Sequence, residues 1–294
     1  MTALVRDPAR AEQLTALGVS LVRGDLDDSE ALERTCTGTD VFFHVAGWYK
    51  VGTRDKAEGW RVNVDGTRAA LTAAQRTGVP RVVYTSTLAV NSDTKGKVVD
   101  ETYRFTGQHL SVYDETKAQA HDVAHEFADA GLPIVIVMPG LVYGPGDTAL
   151  SGGLIRDVAA GRRVLVPGGG GGCWGHVDDI AAGHILAATR GTVGEAYMLA
   201  GPRATFVQGL NRVAAIAGTR RPTALPAAMV SATAAVLGQV EKVAHLPAPY
   251  NAESMRAGLA TYYGTAEKAK AELGWTCRDL DTGLRETLAA NSHS

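Results

Sequence analysis

The strongest constraint on the fold is a rhythm in where apolar residues fall. Over roughly the first two thirds of the chain, short apolar runs alternate with stretches whose apolar positions recur at helical spacing. Strands are expected over residues 2–5, 20–23, 40–45, 81–85 and 133–138, with helices over 8–17, 29–34, 60–77 and 113–130 between them. Gly18, Gly78 and Gly131 stand where helices stop. Strand–helix–strand alternation of this kind brings parallel strands into one sheet with helices on its faces, an α/β doubly wound architecture.

After Gly140 the rhythm loosens, glycine crowds residues 168–172, and the tail from Pro202 reads as mostly helical with proline-rich joints. The expected organisation is one nucleotide-type domain over 1–145 and 175–200, with a smaller, mainly helical substrate lobe over 146–174 and 201–294. With 294 residues, 45 % of them hydrophobic, the chain can bury one sizeable core with a lobe appended. The five-glycine run has no strand expected before it and no Lys-Ser/Thr after it, so it reads as a flexible loop rather than a phosphate cradle. Residues 224–240 are apolar but contain Pro226 and Gly238 and fall short of the ~20 residues a spanning helix needs. A buried or substrate-facing helix is expected there, with interfacial association the minor alternative.

Charge and cysteine usage exclude several function classes. The net charge of −2 comes from 29 basic and 31 acidic residues without a basic tract, which argues against a nucleic-acid partner. Cys36, Cys173 and Cys277 are far apart, so neither a disulfide framework nor a zinc site is expected, and a reducing cytoplasm fits. Met1 leads through a short apolar stretch directly to Arg6-Asp7, which does not read as a signal peptide.

Tyr113 and Lys117 are four apart and fall on one helical face, so the ammonium can stand near the phenol. A phenol with an ordinary pKa of ~10 is a poor base at neutral pH, and a nearby cation favours its phenolate. The preceding strand ends in Tyr84-Thr85-Ser86-Thr87, and hydroxyls at the carboxyl end of a parallel strand lie where such sheets bind ligands. His121 and His125 have metal-ligand spacing, but no glutamate follows His121 and no third ligand is evident, so a helix-surface pair is expected. His176-Val-Asp-Asp179 is not taken as a catalytic triad.

In this order the motifs resemble the extended short-chain dehydrogenase/reductase superfamily, also called the NAD-dependent epimerase/dehydratase family. The segments are Ala3-Leu-Val-Arg-Asp7, Gly24-Asp-Leu26, His44-Val-Ala-Gly47, Asn63-Val-Asp-Gly-Thr67, Tyr84-Thr-Ser-Thr87, Tyr113-Asp-Glu-Thr-Lys117, the run from Pro139 to Asp147, His176-Val-Asp-Asp179 and Lys270-Ala-Glu-Leu-Gly-Trp275. Within it the chain is most similar to dihydroflavonol-reductase-like and farnesol-dehydrogenase-like members. The resemblance implies a Rossmann-like sheet and NAD(P)-dependent oxidoreductase chemistry, interconverting a hydroxyl and a carbonyl. It makes Thr87 the catalytic Ser/Thr, with Ser86 the runner-up beside the substrate, and Tyr113 the general acid/base, itself also in contact with the cofactor. Lys117 would bind the nicotinamide ribose and lower the tyrosine pKa. Asp25 and Leu26 would flank the adenine, Val45, Ala46 and Thr85 would line the cofactor, and Pro139 to Val142 would lie beside the nicotinamide. The His176 segment would serve domain packing, and homodimerisation would be common.

Arg6 stands where these folds read the adenosine ribose, and an arginine there accommodates a 2'-phosphate, so NADP is favoured with NAD still open. Trp48, Tyr49 and the apolar stretch 225–237 suggest a largely apolar alcohol or ketone. Arg162, Arg163, Arg220 and Arg221 keep a sugar-nucleotide epimerase or dehydratase open, and a cofactor-free enzyme or binding protein is the third alternative. The chain departs from the family at its front: the strand and Gly-x-x-Gly-x-x-Gly turn that usually come first are absent. Dinucleotide affinity is expected to fall without the amides of that turn. The strands at 2–5 and 40–45 would stand two spacings, ~9.6 Å, apart unless the sheet closes up, and an unfilled gap there would leave buried backbone groups unpaired, at intolerable cost. Either a native start lies roughly 25 residues upstream, the size of a strand–turn–helix unit, or the chain is short with a rearranged sheet.

Overall fold

The computed structural model describes residues 1–53, 55–244, 246 and 250–291. The chain opens with β1 (Thr2–Val5), α1 (Glu12–Ala16), β2 (Ser20–Arg23), α2 (Ser29–Cys36) and β3 (Phe42–His44). A short α3 (Ala57–Gly59) passes through a π-helical turn, Trp60–Asp65, into α4 (Gly66–Arg76). Then come β4 (Val82–Thr85), α5 (Val112–Asp129), β5 (Ile134–Pro139), β6 (Leu141–Tyr143), α6 (Leu150–Ala159), β7 (Leu165–Pro167), β8 (Gly171–His176), α7 (Val177–Arg190) and β9 (Ala196–Leu199). The remainder is β10 (Arg203–Thr205), α8 (Phe206–Ala217), β11 (Thr223–Leu225), α9 (Ala227–Val240), α10 (Ala252–Ala257), β12 (Thr261–Tyr262) and α11 (Leu280–Asn291).

The main sheet is parallel, in the order β3-β4-β5-β9. Its two middle strands are rich in Val and Ile, and β5 is buried throughout, as expected of strands covered on both faces. Register sets Tyr84 between His44 and Ile136, and Thr85 beside Val137. α5 starts at Ser111, whose Oγ accepts the Asp114 N–H at 3.1 Å, and buries Lys117, Ala120, His121 and Ala124 on one stripe. The carboxyl end of β4 and the first turns of α5 are thereby brought together.

The sheet is split in two. β1 pairs with β2, while β3 pairs only with β4, so the nucleotide-type sheet is a two-stranded and a four-stranded piece. Along this edge Phe43 and, just beyond β3, Val45 are 40 % and 60 % exposed, whereas His44 between them is buried. The two pieces are joined through α2, whose Leu32 and Cys36 face the same core as Ala70, Leu71 and Ala74 of α4.

Three further expectations are corrected. The helix over residues 8–17 is a 3-10 turn, Pro8–Arg10, followed by the short α1; neither buries a residue, so no packing consolidates a longer helix. The glycine run is not a loose loop: β7 precedes it, and Gly171 and Gly172 open β8, which pairs with β10 and β12. A Cβ on Gly170 would run into the Gly258 carbonyl oxygen, so glycine permits close backbone approach rather than mobility. α9 is not a buried helix, because only Val230 and Ala234 are buried while Met229 and Val236 face outward. Part of the proline-rich joint, Pro247 and Pro249, lies outside the described residues. A second, smaller core gathers Tyr143, Ile155, Trp174, Val213 and Leu284 from β6, α6, β8, α8 and α11.

Candidate active site

Thr87 and Tyr113 meet at the carboxyl end of β4. The Thr87 Oγ1 accepts the Ala89 N–H at 3.2 Å, which caps the 3-10 turn Leu88–Asn91, and its hydroxyl stands beside the Tyr113 phenol. One turn along α5, Lys117 reaches under the strand end, donating to the Thr85 carbonyl at 2.8 Å and the Tyr84 hydroxyl at 3.2 Å. Two of its three N–H groups are thus used, and the third is free for a ribose hydroxyl. On that observation the site fits the ribose of a nicotinamide nucleotide, which Lys117 would hold.

Burial dominates the electrostatics. It pushes the Tyr113 phenol up to about 12, against the Thr87 hydrogen bond, with the Asp114 charge adding to the rise. It brings the Lys117 ammonium down to about 7. The lowering of the tyrosine that the resemblance implied is therefore not found here: at neutral pH Tyr113 keeps its proton, as an acid toward a carbonyl oxygen must.

A layer of polar side chains beneath these residues escaped the sequence reading. Tyr84 is fully buried with its hydroxyl near that of Thr67, whose Oγ1 lies 3.0 Å from His44 Nε2. The His44 and Tyr84 rings stack with centroids 5.6 Å apart. Asn63, in the π-helical turn, accepts the Trp48 N–H at 2.7 Å and donates to Trp48 O and Thr116 Oγ1, both at 2.9 Å, pinning the loop after β3 to α5. The available signal was a polar residue inside an apolar run, as at His44 in Phe-Phe-His-Val and Tyr84 in Val-Val-Tyr-Thr. The His121–His125 pair is also corrected. His121 is buried, with Nδ1 2.9 Å from Ser86 Oγ and Nε2 3.1 Å from His125 Nε2. Among the described residues no group of three or more His, Cys, Asp or Glu could hold a metal ion.

The other expected residues divide. Ser86 is turned onto α5, away from a substrate role, and the Thr85 hydroxyl engages His184 Nε2 at 2.9 Å. Trp48 is not open to substrate: it is buried against Gly59 and donates through Nε1 to Glu58, whereas Tyr49 is exposed. Arg6, Val45 and Ala46 are exposed; Asp25 is half-buried and accepts the Leu26 N–H, and Leu26 itself packs in the core. Pro139 is buried in β5, and Val142 is half-buried on β6. A cavity of about 980 Å³ opens at the N-terminus of α5, lined by Ser111 and Val112 together with Lys56, Asn251, Glu253 and Arg256. Arg162, Arg163, Arg220 and Arg221 do not line it, and Arg162 is paired with Asp157. The His176 segment bears on packing, as Arg278 grips Asp179 through Nη2 at 2.7 Å and its own backbone N–H at 2.9 Å.

A parallel α/β sheet with a hydroxyl, tyrosine and lysine at one strand end defines a nucleotide-dependent enzyme of the doubly wound class. The chain belongs to the NAD dependent epimerase/dehydratase family, whose model matches residues 1–200. It is 36 % identical over 201 residues to a 4-hydroxy-2-methyl-3-oxo-4-farnesyl-3,4-dihydroquinoline-1-oxide ketoreductase of Stigmatella aurantiaca, covering 67 % of this chain and 59 % of that protein. It is 31 % identical to sterol demethylase protein B of Methylococcus capsulatus, covering 92 % of this chain and 84 % of that one. Among solved structures it resembles gox2253, with a TM-score of 0.87 and 29 % identity over 99 % of this chain and 90 % of the other.

Proposed function

We propose that this protein is an NAD(P)-dependent oxidoreductase that interconverts a hydroxyl and a carbonyl on a largely apolar small molecule. The observation that carries the reading is the Tyr113 phenol set beside the Thr87 hydroxyl, with the Lys117 ammonium one turn away under the same strand end. Thr87 receives the substrate oxygen and orients it toward Tyr113. In reduction Tyr113 gives its proton to that oxygen; in oxidation it takes the proton back. Lys117 holds the nicotinamide ribose and, when protonated, stabilises the phenolate left behind. When bound, the nicotinamide supplies or accepts the hydride at its C4. Proton transfer by a positioned side chain contributes ~10²–10⁴ in rate, and orientation supplies much of the rest. The relatives named as a ketoreductase and a sterol-processing protein support an apolar substrate.

NADP is the favoured cofactor. Arg6 is exposed just beyond β1, while the neighbouring Asp7 is occupied in accepting the Ala9 N–H. A guanidinium with the adjacent carboxylate so engaged suits a 2'-phosphate.

One feature favours a second reading. Arg256 lines the cavity and has no ion pair among the described residues, whereas Lys56 is neutralised by Glu253 at 3.2 Å. A substrate bearing an anionic group, a sugar nucleotide included, would meet that guanidinium.

The test is calorimetric titration of NADPH and NADH into the chain, followed by assay with a panel of apolar ketones and aldehydes. NADPH consumption matched one-to-one by alcohol formation supports the oxidoreductase. Turnover of a sugar nucleotide without net nucleotide oxidation supports the second reading. Absence of nucleotide binding sinks both.

A further inference from the structure

The residues immediately before and after Tyr113 are both held by the C-terminal part of the chain. The Val112 N–H donates to Glu253 Oε1 of α10 at 3.3 Å, and the same oxygen accepts the Gly52 N–H from the loop after β3. On the other side the Tyr262 hydroxyl of β12 donates to Asp114 Oδ2 at 3.1 Å. Asp114 is only 2 % exposed, so this is a buried carboxyl–phenol contact and not a surface bond. β12 is itself firmly placed. Thr261 donates to Asp93 Oδ1 through N–H and hydroxyl at 2.9 and 3.0 Å, its carbonyl accepts from Thr94 Oγ1 at 2.9 Å, and Tyr262 is in register with Gly172 of β8.

We infer that Asp114 and Tyr262 are a positioning pair for Tyr113, fixing the helix turn that carries the acid relative to the wall of the substrate cavity. Glu253 completes the arrangement, since it both lines that cavity and accepts the Val112 N–H. The inference rests on Tyr113 being the general acid. Proton transfer needs the phenol at hydrogen-bond reach of the substrate oxygen, and an ångström of misplacement costs ~10²-fold in rate. The competing account is that packing of Ala120, Val123 and Ala124 against the sheet already sets Tyr113, leaving the pair as a buried hydrogen bond without effect on chemistry.

The two accounts separate in the full chain bearing Y262F, D114A, D114N or the Y262F/D114A double change, each with Tyr ring carbons labelled for NMR. The Tyr113 resonance is assigned by its loss in Y113F. A positioning pair predicts that Y262F and D114A each lower kcat for ketone reduction ~10–100-fold, with KM within about twofold of wild type. The double variant should lose no more than either single one. D114N keeps an oxygen that can accept from Tyr262 and should retain most of the rate. The Tyr113 resonance should move in Y262F. Y262F removes one hydroxyl and D114N nearly preserves shape, so both decide the matter even where D114A fails to fold. Wild-type kcat in Y262F with an unmoved Tyr113 resonance, or losses that multiply in the double variant, would overturn the inference. A wild-type chain that reduces no ketone refutes the functional reading instead, and the resonance still reports whether the pair sets the phenol.

Discussion

The Lys117 ammonium donates to the Tyr84 hydroxyl at 3.2 Å and lies 4.9 Å from the centre of the same ring. A single buried side chain therefore stabilises the cation through both its oxygen and its π face. Tyr84→Phe keeps the ring but takes one acceptor from Lys117 and removes the hydroxyl near Thr67. The expected loss of unfolding free energy is about 1–3 kcal/mol. It should appear in urea denaturation as a lower midpoint at constant m; an unmoved midpoint would mean the hydroxyl contributes nothing net.

Acid should destabilise the protein through its buried imidazoles. Burial pushes His44 and His121 from 6.5 down to about 3, with the Lys117 charge adding to both and His125 and Arg104 to His121. Between those values the unfolded chain binds more protons than the folded one, so stability falls as pH drops from 6.5 toward 3. Asp114 acts in the opposite sense. Burial raises its carboxyl from 3.8 to about 7, so its contribution is present below 3.8 and is lost as pH rises to 7. Two imidazoles against one carboxyl leave a net loss in acid. Urea midpoints from pH 4 to 8 should fall on the acid side. His121→Asn should flatten that slope and Asp114→Asn should steepen it.

What could be read from one dimension was local. Tyr113 and Lys117 share a helix face because four residues separate them, and no fold is needed to see it. The partners of Lys117 were invisible for the opposite reason: Tyr84 and Thr85 stand on β4, and a helix on a different element brings the ammonium to them. His121 follows Lys117 by the same four residues and shares its buried stripe. Reading the histidines as a helix-surface pair hid this, although the stripe 117, 120, 121 and 124 was there to read. For α9 the pattern itself is silent. A helix apolar on every side has no preferred face, and only its neighbours show that Val230 and Ala234 point inward. The gap between the strands at 2–5 and 40–45 was legible, but an open gap was held intolerable, and the joining of the two pieces through α2 depends on packing that a sequence does not contain.

Two glycines should respond in opposite directions to alanine. A Cβ at Gly170 would collide with the Gly258 carbonyl oxygen and come within 3.0 Å of Ala260 O, both backbone atoms that cannot swing aside. Gly170→Ala should cost about 1–3 kcal/mol, as overpacking does. Gly153 lies inside α6 with nothing within 4 Å of its would-be Cβ, so Gly153→Ala should stabilise by roughly 0.5–1 kcal/mol. Thermal melts of the two variants check both signs, and a destabilised G153A would mean that α6 needs glycine for a reason its surroundings do not show.

The ionisation of Tyr113 sets the pH range in which the phenol can serve as a base. With burial holding the phenol at about 12, Tyr113 carries its proton at pH 7 and is ready as the acid of reduction, while oxidation draws on the small phenolate fraction. In titrations without added nucleotide, the ultraviolet difference between wild type and Tyr113→Phe should therefore show no phenolate below pH 10. Tyr113→Phe should leave NADPH affinity unchanged, because Lys117 and not the phenol is assigned the ribose, while kcat for ketone reduction falls ~10²–10⁴-fold. Phenolate signal near neutral pH would instead mean that the Lys117 charge outweighs burial at the phenol. The rate of alcohol oxidation would then rise through that same pH range, as the base form fills.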